Sequence, residues 1–139
     1  MKSQIFKILA LFSVIILTPF NSYSQNFNLR IEITGISTIK GELYVAIYNS
    51  EKDFQSKTAF KSKRIKVKKT EEILSFSLPQ GTYAITLYQD INNNKKLDSM
   101  FSIPFEPYGV SNNFSGFPSF KKAKFSLLKD QSIKIKIKN

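Results

Sequence analysis

From residue 26 onward, apolar and polar side chains alternate with a period of two in one short segment after another. Phe27, Leu29, Ile31 and Ile33 alternate with Asn28, Arg30, Glu32 and Thr34, and Gly35 breaks the run. Leu43, Val45 and Ile47 form a second apolar phase, Ile65 and Val67 a third, and Leu74, Phe76 and Leu78 a fourth. Tyr83, Ile85 and Leu87 follow directly after Pro79-Gln80-Gly81, and the phases Ala123, Phe125, Leu127 and Ile133, Ile135, Ile137 complete the set. Alternation of this kind is the mark of a strand with one face buried, because successive side chains of an extended chain point to opposite sides. Seven such strands, joined mostly by short turns and without a sustained helical period, predict an all-β, single-domain antiparallel β-sandwich of immunoglobulin or transthyretin type. Residues 50–60 predict a helical turn that places Phe54 beside the end of a sheet. Residues 90–119 are too long for a routine hairpin connection. Because they contain Phe101, Phe105, Tyr108, Phe114 and Phe117, they predict an ordered loop folded onto the sandwich.

The first 24 residues break this pattern. Lys2 and Lys7 precede an apolar run from Ile8 to Leu17, and Ser22-Tyr23-Ser24 supplies small residues two apart. A positive end, a short apolar core and a small-x-small exit predict a cleaved secretory signal over residues 1–24, with the β-sandwich domain over 25–139. The apolar core is shorter than the roughly 20 residues of a membrane-spanning helix. The expected location is therefore periplasmic or extracellular, with no transmembrane segment after signal cleavage. The chain has no Cys, which excludes both disulfides and lipid attachment at a cysteine.

Charge narrows the range of partners. Without Lys2 and Lys7 the chain carries 19 basic against 10 acidic side chains, a net charge of +9. The basic residues are nearly all Lys, with Arg only at 30 and 64, whereas base readout and bidentate phosphate recognition favour Arg. Together with export, this argues against nucleic acid and for a glycan or an anionic surface polymer, or for a solvated Lys-rich face alone.

Candidate chemistry concentrates in the long loop. Asp90, Asn92 and Asn94 repeat the first, third and fifth positions of a calcium-binding EF loop, Lys96 offers a backbone carbonyl at the seventh, and Asp98 stands at the ninth. Glu106 is the nearest acidic residue able to complete the shell. The match is partial, since Lys95 replaces the turn glycine and Phe101 stands where a bidentate Glu would close the site. A weak Ca2+ site is one expectation, and an Asn-rich turn held by side-chain-to-backbone bonds is the other. Phe105, Tyr108, Ser111, Asn112 and Asn113 pair aromatic rings with short polar groups, as carbohydrate sites do, while the same polar groups are equally suited to satisfying loop backbone.

Enzyme chemistry has few footholds. With no His or Cys, a Ser nucleophile would need Lys as its base, and no spacing singles out such a pair. The remaining catalytic reading is a carboxylate-dependent glycan hydrolase using Asp98 or Glu106. The leading reading is a non-enzymatic binding or cell-envelope interaction module, and a structural accessory domain contacting anionic surface polymer is a third.

The ordered motifs "LPxGxYA" at 78–84, "DxNxNxxLD" at 90–98, "PxEPYGxSNN" at 104–113 and "PSFxxAxF" at 118–125 give the chain its resemblance to the bacterial domain-of-unknown-function family 2141. The resemblance covers almost the whole chain after the leader. It implies an exported protein without an established activity. That family's loop carries Gly where this chain has Lys95.

Overall fold

The computed structural model describes residues 25–100 and 103–138. The expected signal segment 1–24, and Phe101 in the long loop, lie outside the described residues. The elements in order are β1 (Asn26–Thr34), β2 (Glu42–Tyr48), α1 (Glu51–Ser56), β3 (Lys61–Lys66), β4 (Glu72–Pro79), β5 (Gly81–Asp90), β6 (Ser99–Met100), β7 (Ile103–Pro104), β8 (Tyr108–Val110), a 3-10 turn (Ser111–Asn113), α2 (Phe120–Ala123), β9 (Phe125–Leu127) and β10 (Gln131–Lys136). All seven strands expected from the alternation are present. The three others, β6 to β8, fall inside the long 90–119 segment.

Two sheets face each other. One runs β10-β1-β4, and the other runs β3-β2-β5-β8, with β9 pairing the start of β5. The apolar phase of every long strand points between them. Leu29, Ile31 and Ile33 of β1 meet Leu43, Val45 and Ile47 of β2, Ile85 and Leu87 of β5, and Phe76 and Leu78 of β4, all in one buried core. Burying a Leu, Ile or Phe side chain contributes about 1.5–3 kcal/mol, so this interlayer carries the stability of a chain without disulfides. The pairing is antiparallel except for β1 with β10, which run parallel in register Ile31↔Ile133 and Ile33↔Ile135. Alternation specifies which face a strand buries but not the direction of its neighbour.

The rims of the sandwich are stitched. At one side Tyr108 and Lys138 exchange both backbone hydrogen bonds, at 2.9 and 2.8 Å, joining β8 to the chain just past β10. At the other, Lys61 Nζ donates to the Ser77 carbonyl at 2.9 Å and Lys63 Nζ to the Ser75 carbonyl. Those two lysines reach from edge strand β3 to edge strand β4, and Lys63 also lies 4.6 Å above the Phe76 ring. A charge placed across an open edge keeps another strand from adding to it.

A third layer covers part of the outer face of the second sheet. Ser50 caps α1, its Oγ accepting from the Asp53 N–H at 3.1 Å, and Lys57 ends it at φ 57°. As expected, Phe54 lies against the sheet, edge-on to Tyr48 at 5.1 Å, and it also meets Phe120 at 6.1 Å. Ala84, Val110 and Ala123 form a small second core with Phe54, Tyr108, Phe114 and Phe120. The long segment is therefore folded onto the sandwich. Its aromatics divide, however. Phe114 and Tyr108 pack against the small second core, whereas Phe105 and Phe117 are 64% and 78% exposed.

Candidate functional site

The loop after β5 is built around Asp90. This carboxylate is fully buried, and its Oδ1 accepts from Asn94 N–H at 3.0 Å and its Oδ2 from Lys95 N–H at 2.8 Å. Arg64 of β3 approaches the same Oδ2 at 3.4 Å, donates to the Lys95 carbonyl at 3.1 Å and to the Tyr88 hydroxyl at 3.1 Å. Asn93 and Lys95 both take left-handed backbone, at φ 57° and 63°. Lys95 thus adopts the turn that its missing glycine would have made easy, at a strain of about 1–2 kcal/mol. At Gly41 a side chain is impossible, since a Cβ would stand 2.0 Å from the Asp90 carbonyl oxygen.

The remaining metal candidates converge through their own hydrogen bonds. Asn92 Nδ2 donates to Asp98 Oδ2 at 2.7 Å, and Asn94 Nδ2 to both Asp98 oxygens at 2.8 and 2.9 Å. Meanwhile Asn92 Oδ1 accepts from Asn94 N–H at 3.1 Å and Asn94 Oδ1 from Lys96 N–H at 2.9 Å, two successive Asx turns. Lys96 enters this network through that N–H. Glu106, 6% exposed, latches both ends of the loop: Oε1 accepts from Ile91 N–H at 3.0 Å and Oε2 from Asp98 N–H at 3.2 Å. Among the described residues no group of three or more His, Cys, Asp or Glu is gathered as a metal site would need.

The second candidate set lies beyond it. Ser111 is buried, its Oγ accepting from Ile85 N–H at 2.9 Å and donating to the Ala123 carbonyl at 2.6 Å. Asn112 Nδ2 donates to the carbonyls of Lys122 and Lys124 at 2.9 and 3.1 Å. Asn113 pairs with β10 as a strand would, its Nδ2 donating to Lys134 O and its Oδ1 accepting from Lys136 N–H, both at 2.8 Å. Asn112 and Asn113 stand at φ 66° and 49°, conformations that asparagine tolerates better than most residues. The three side chains hold β5, α2 and β10 together. Phe105 projects into solvent, and Tyr108 faces a groove.

No single stretch of sequence points to that groove. On the outer face of the second sheet the register aligns Arg64, Tyr44, Tyr88 and Tyr108 in one row across β3, β2, β5 and β8. Arg64 lies over the Tyr44 ring at 4.6 Å, and the Tyr44 and Tyr88 rings are 5.4 Å apart. Tyr48, Phe54 and Phe120 stand opposite this row. Between the two walls, over Thr86 and Val110, runs a trough of about 850 Å3. Leu97 and Pro104 extend the first wall, and Phe117 and Pro118 also line it. A signal was present, because the outward phases of β2 and β5 carry Tyr44, Ala46 and Tyr48, and Ala84, Thr86 and Tyr88, where a solvent face would carry charge. Burial raises the pKa of the Tyr48 and Tyr88 hydroxyls above the usual tyrosine value, with the Thr86 and Arg64 hydrogen bonds opposing it. These hydroxyls stay neutral at physiological pH.

Among the described residues no helix is long and apolar enough to cross a membrane. The chain matches no curated protein and no solved structure. A family model does match it, over residues 31–136, the span from the middle of β1 to the end of β10, which takes in the groove and the loop. The chain belongs to the family described as "Uncharacterized protein conserved in bacteria (DUF2141)".

Proposed function

We propose that the protein is an exported, non-enzymatic binding module of the cell envelope whose ligand face is the aromatic groove and whose ligand is a glycan chain. The groove itself carries the reading: two tyrosine- and phenylalanine-lined walls about a floor of small side chains, in a trough of about 850 Å3. Rings of this kind stack on the C–H faces of sugars while hydroxyls bond at the rim. Asp98 and Glu106, the carboxylates a hydrolase would use, have all four oxygens engaged by loop amides and backbone N–H groups, which favours binding over catalysis. Isothermal titration of the purified protein with a panel of neutral and acidic hexasaccharides tests this. Binding should weaken roughly tenfold in Tyr44→Ala or Phe54→Ala, as loss of a stacking ring of about 1–2 kcal/mol requires. Absence of binding across the panel, or binding indifferent to both substitutions, would refute it.

Calcium at the Asp90–Asp98 loop is a second part of the proposal, favoured by one observation. Lys95 is held in left-handed backbone with its N–H on Asp90, the turn on which such loops depend. Occupancy would require the Asn92 and Asn94 amides to turn their oxygens toward Asp98. That forfeits the two Asx-turn bonds, at about 1 kcal/mol each. Arg64 already compensates Asp90, so affinity is expected in the range of about 10⁻⁴–10⁻³ M. Calcium at tenfold excess should raise stability by roughly 1.4 kcal/mol over a chelator control. The gain should vanish in Asp98→Asn, and no shift at tens of millimolar would exclude the site.

A further inference from the structure

Beside the aromatic trough lies a smaller cavity of about 220 Å3, and Tyr108, Gly109, Val110 and Gly116 line both. The two cavities thus share a wall along β8 and differ in chemistry. The larger is aromatic and carries Lys57 and Lys96 at its margin, with Glu51 its one carboxylate. The smaller contains Lys136 and Lys138 and no acidic residue. Among the described residues, none of these four ammonium groups makes an ion pair. Four lysines thus line the two cavities against a single carboxylate, Glu51.

Resting on the glycan reading of the groove, we infer that the ligand is an anionic glycan, whose sugar faces stack in the aromatic trough and whose carboxylate, phosphate or sulfate groups meet the lysines at its margin and in the annex. A neutral glycan would leave that charge without a counterpart, and a purely ionic polymer would leave the aromatic walls without a function. The combination selects a chain with both properties. Each lysine at such an exposed margin changes affinity by only about two- to fivefold, so the effect is cumulative and falls as salt rises.

The discriminating experiment is isothermal titration of the purified protein with hexagalacturonate and with its fully methyl-esterified form, which differ in charge but share the sugar faces. The acid should bind about tenfold more tightly at low salt, and the difference should shrink toward unity at high salt. Lys57→Gln/Lys96→Gln/Lys136→Gln should remove most of the preference for the acid. Lys138 is kept because its Nζ also donates to the Phe114 carbonyl at 3.1 Å. Equal binding of acid and ester, lost in Tyr44→Ala, would overturn the anionic inference and leave the groove reading intact. Tighter binding of the acid that neither the triple lysine variant nor Tyr44→Ala affects would assign it to charge elsewhere and overturn it as well. No binding of either form overturns the anionic inference, and the groove reading is then decided by the hexasaccharide panel.

Discussion

Replacing Asp90 by asparagine tests the loop's central joint with the least change of shape. The carboxylate is fully buried and serves three donors, Asn94 N–H, Lys95 N–H and Arg64. An amide offers one oxygen, so its NH2 must face either Asn94 N–H or the Lys95 and Arg64 pair, a donor against a donor. Hydrogen bonds to a charged group contribute about 1.5–3 kcal/mol, and a buried donor left unpaired costs a similar amount. The Arg64 side chain is 28% exposed, so water partly compensates its loss and that share is discounted. The expected destabilisation is about 2–4 kcal/mol. For a domain of this size that lowers Tm by roughly 10–20 °C. A cycle with Arg64→Met separates the charge pair from the backbone bonds. In the Arg64→Met background Asp90→Asn should cost about 1 kcal/mol less, because no guanidinium is left facing the amide. Urea denaturation of the four proteins measures this. An Asp90→Asn cost under about 0.5 kcal/mol, or strict additivity with Arg64→Met, would refute the joint.

Three other outcomes follow from the geometry. Gly41→Ala places a Cβ 2.0 Å from the Asp90 carbonyl oxygen at a φ of 71°, so it should cost more than about 3 kcal/mol or prevent folding; a circular-dichroism melt unchanged from the parent would contradict this. Asn113→Gly keeps the backbone at φ 49° but removes both bonds to β10, for about 1–2 kcal/mol, and the Lys136 amide should exchange faster with solvent; unchanged protection would show that the bonds do not hold the edge. Burial raises the pKa of Tyr48, Tyr83 and Tyr88, so the folded state retains protons that the unfolded state loses above about pH 10. Stability is then complete below that value and falls as pH rises through the folded pKa, and absorbance titration should show these phenols ionising later than free tyrosine.

Most of the fold can be read from the chain because inward and outward positions alternate cleanly in β1, β4 and β10, where Leu29, Ile31 and Ile33 or Leu74, Phe76 and Leu78 share a phase. The parallel partnership of β1 and β10 leaves no trace in that period. The alternation assigns Ala123 to a strand phase, yet it closes α2 instead, since a period read over three residues does not separate a strand from a turn of helix. The loop chemistry is legible as spacing, and Asp90, Asn92, Asn94, Asp98 and Glu106 do meet. Arg64 is not, because a residue 26 positions before Asp90 joins it only through the β3-β2-β5 register. The groove is hidden for the same reason. Its walls come from β2, β5, β8, α1 and α2, and no local window contains more than a few of its rings.

The four buried polar or charged side chains among the described residues are Gln89, Asp90, Glu106 and Ser111, and all but Gln89 serve the long segment between β5 and α2. Gln89 and Asp90 stand at its entry. Gln89 donates to the carbonyls of Thr38 and Lys40, Glu106 closes the 91–98 loop, and Ser111 ties the exit to Ile85 and Ala123. Directional bonds in a low-dielectric setting contribute less net stability than apolar burial of the same volume, but they specify one arrangement. A segment anchored in this way does not need all of its apolar side chains for its own folding. Leu97 and Phe117 accordingly remain exposed on the groove wall, where ordinary loop packing would have buried them. Exposed apolar surface held in a fixed position beside a concave face is what a binding site requires, because the ligand then meets a surface whose ordering cost was met during folding.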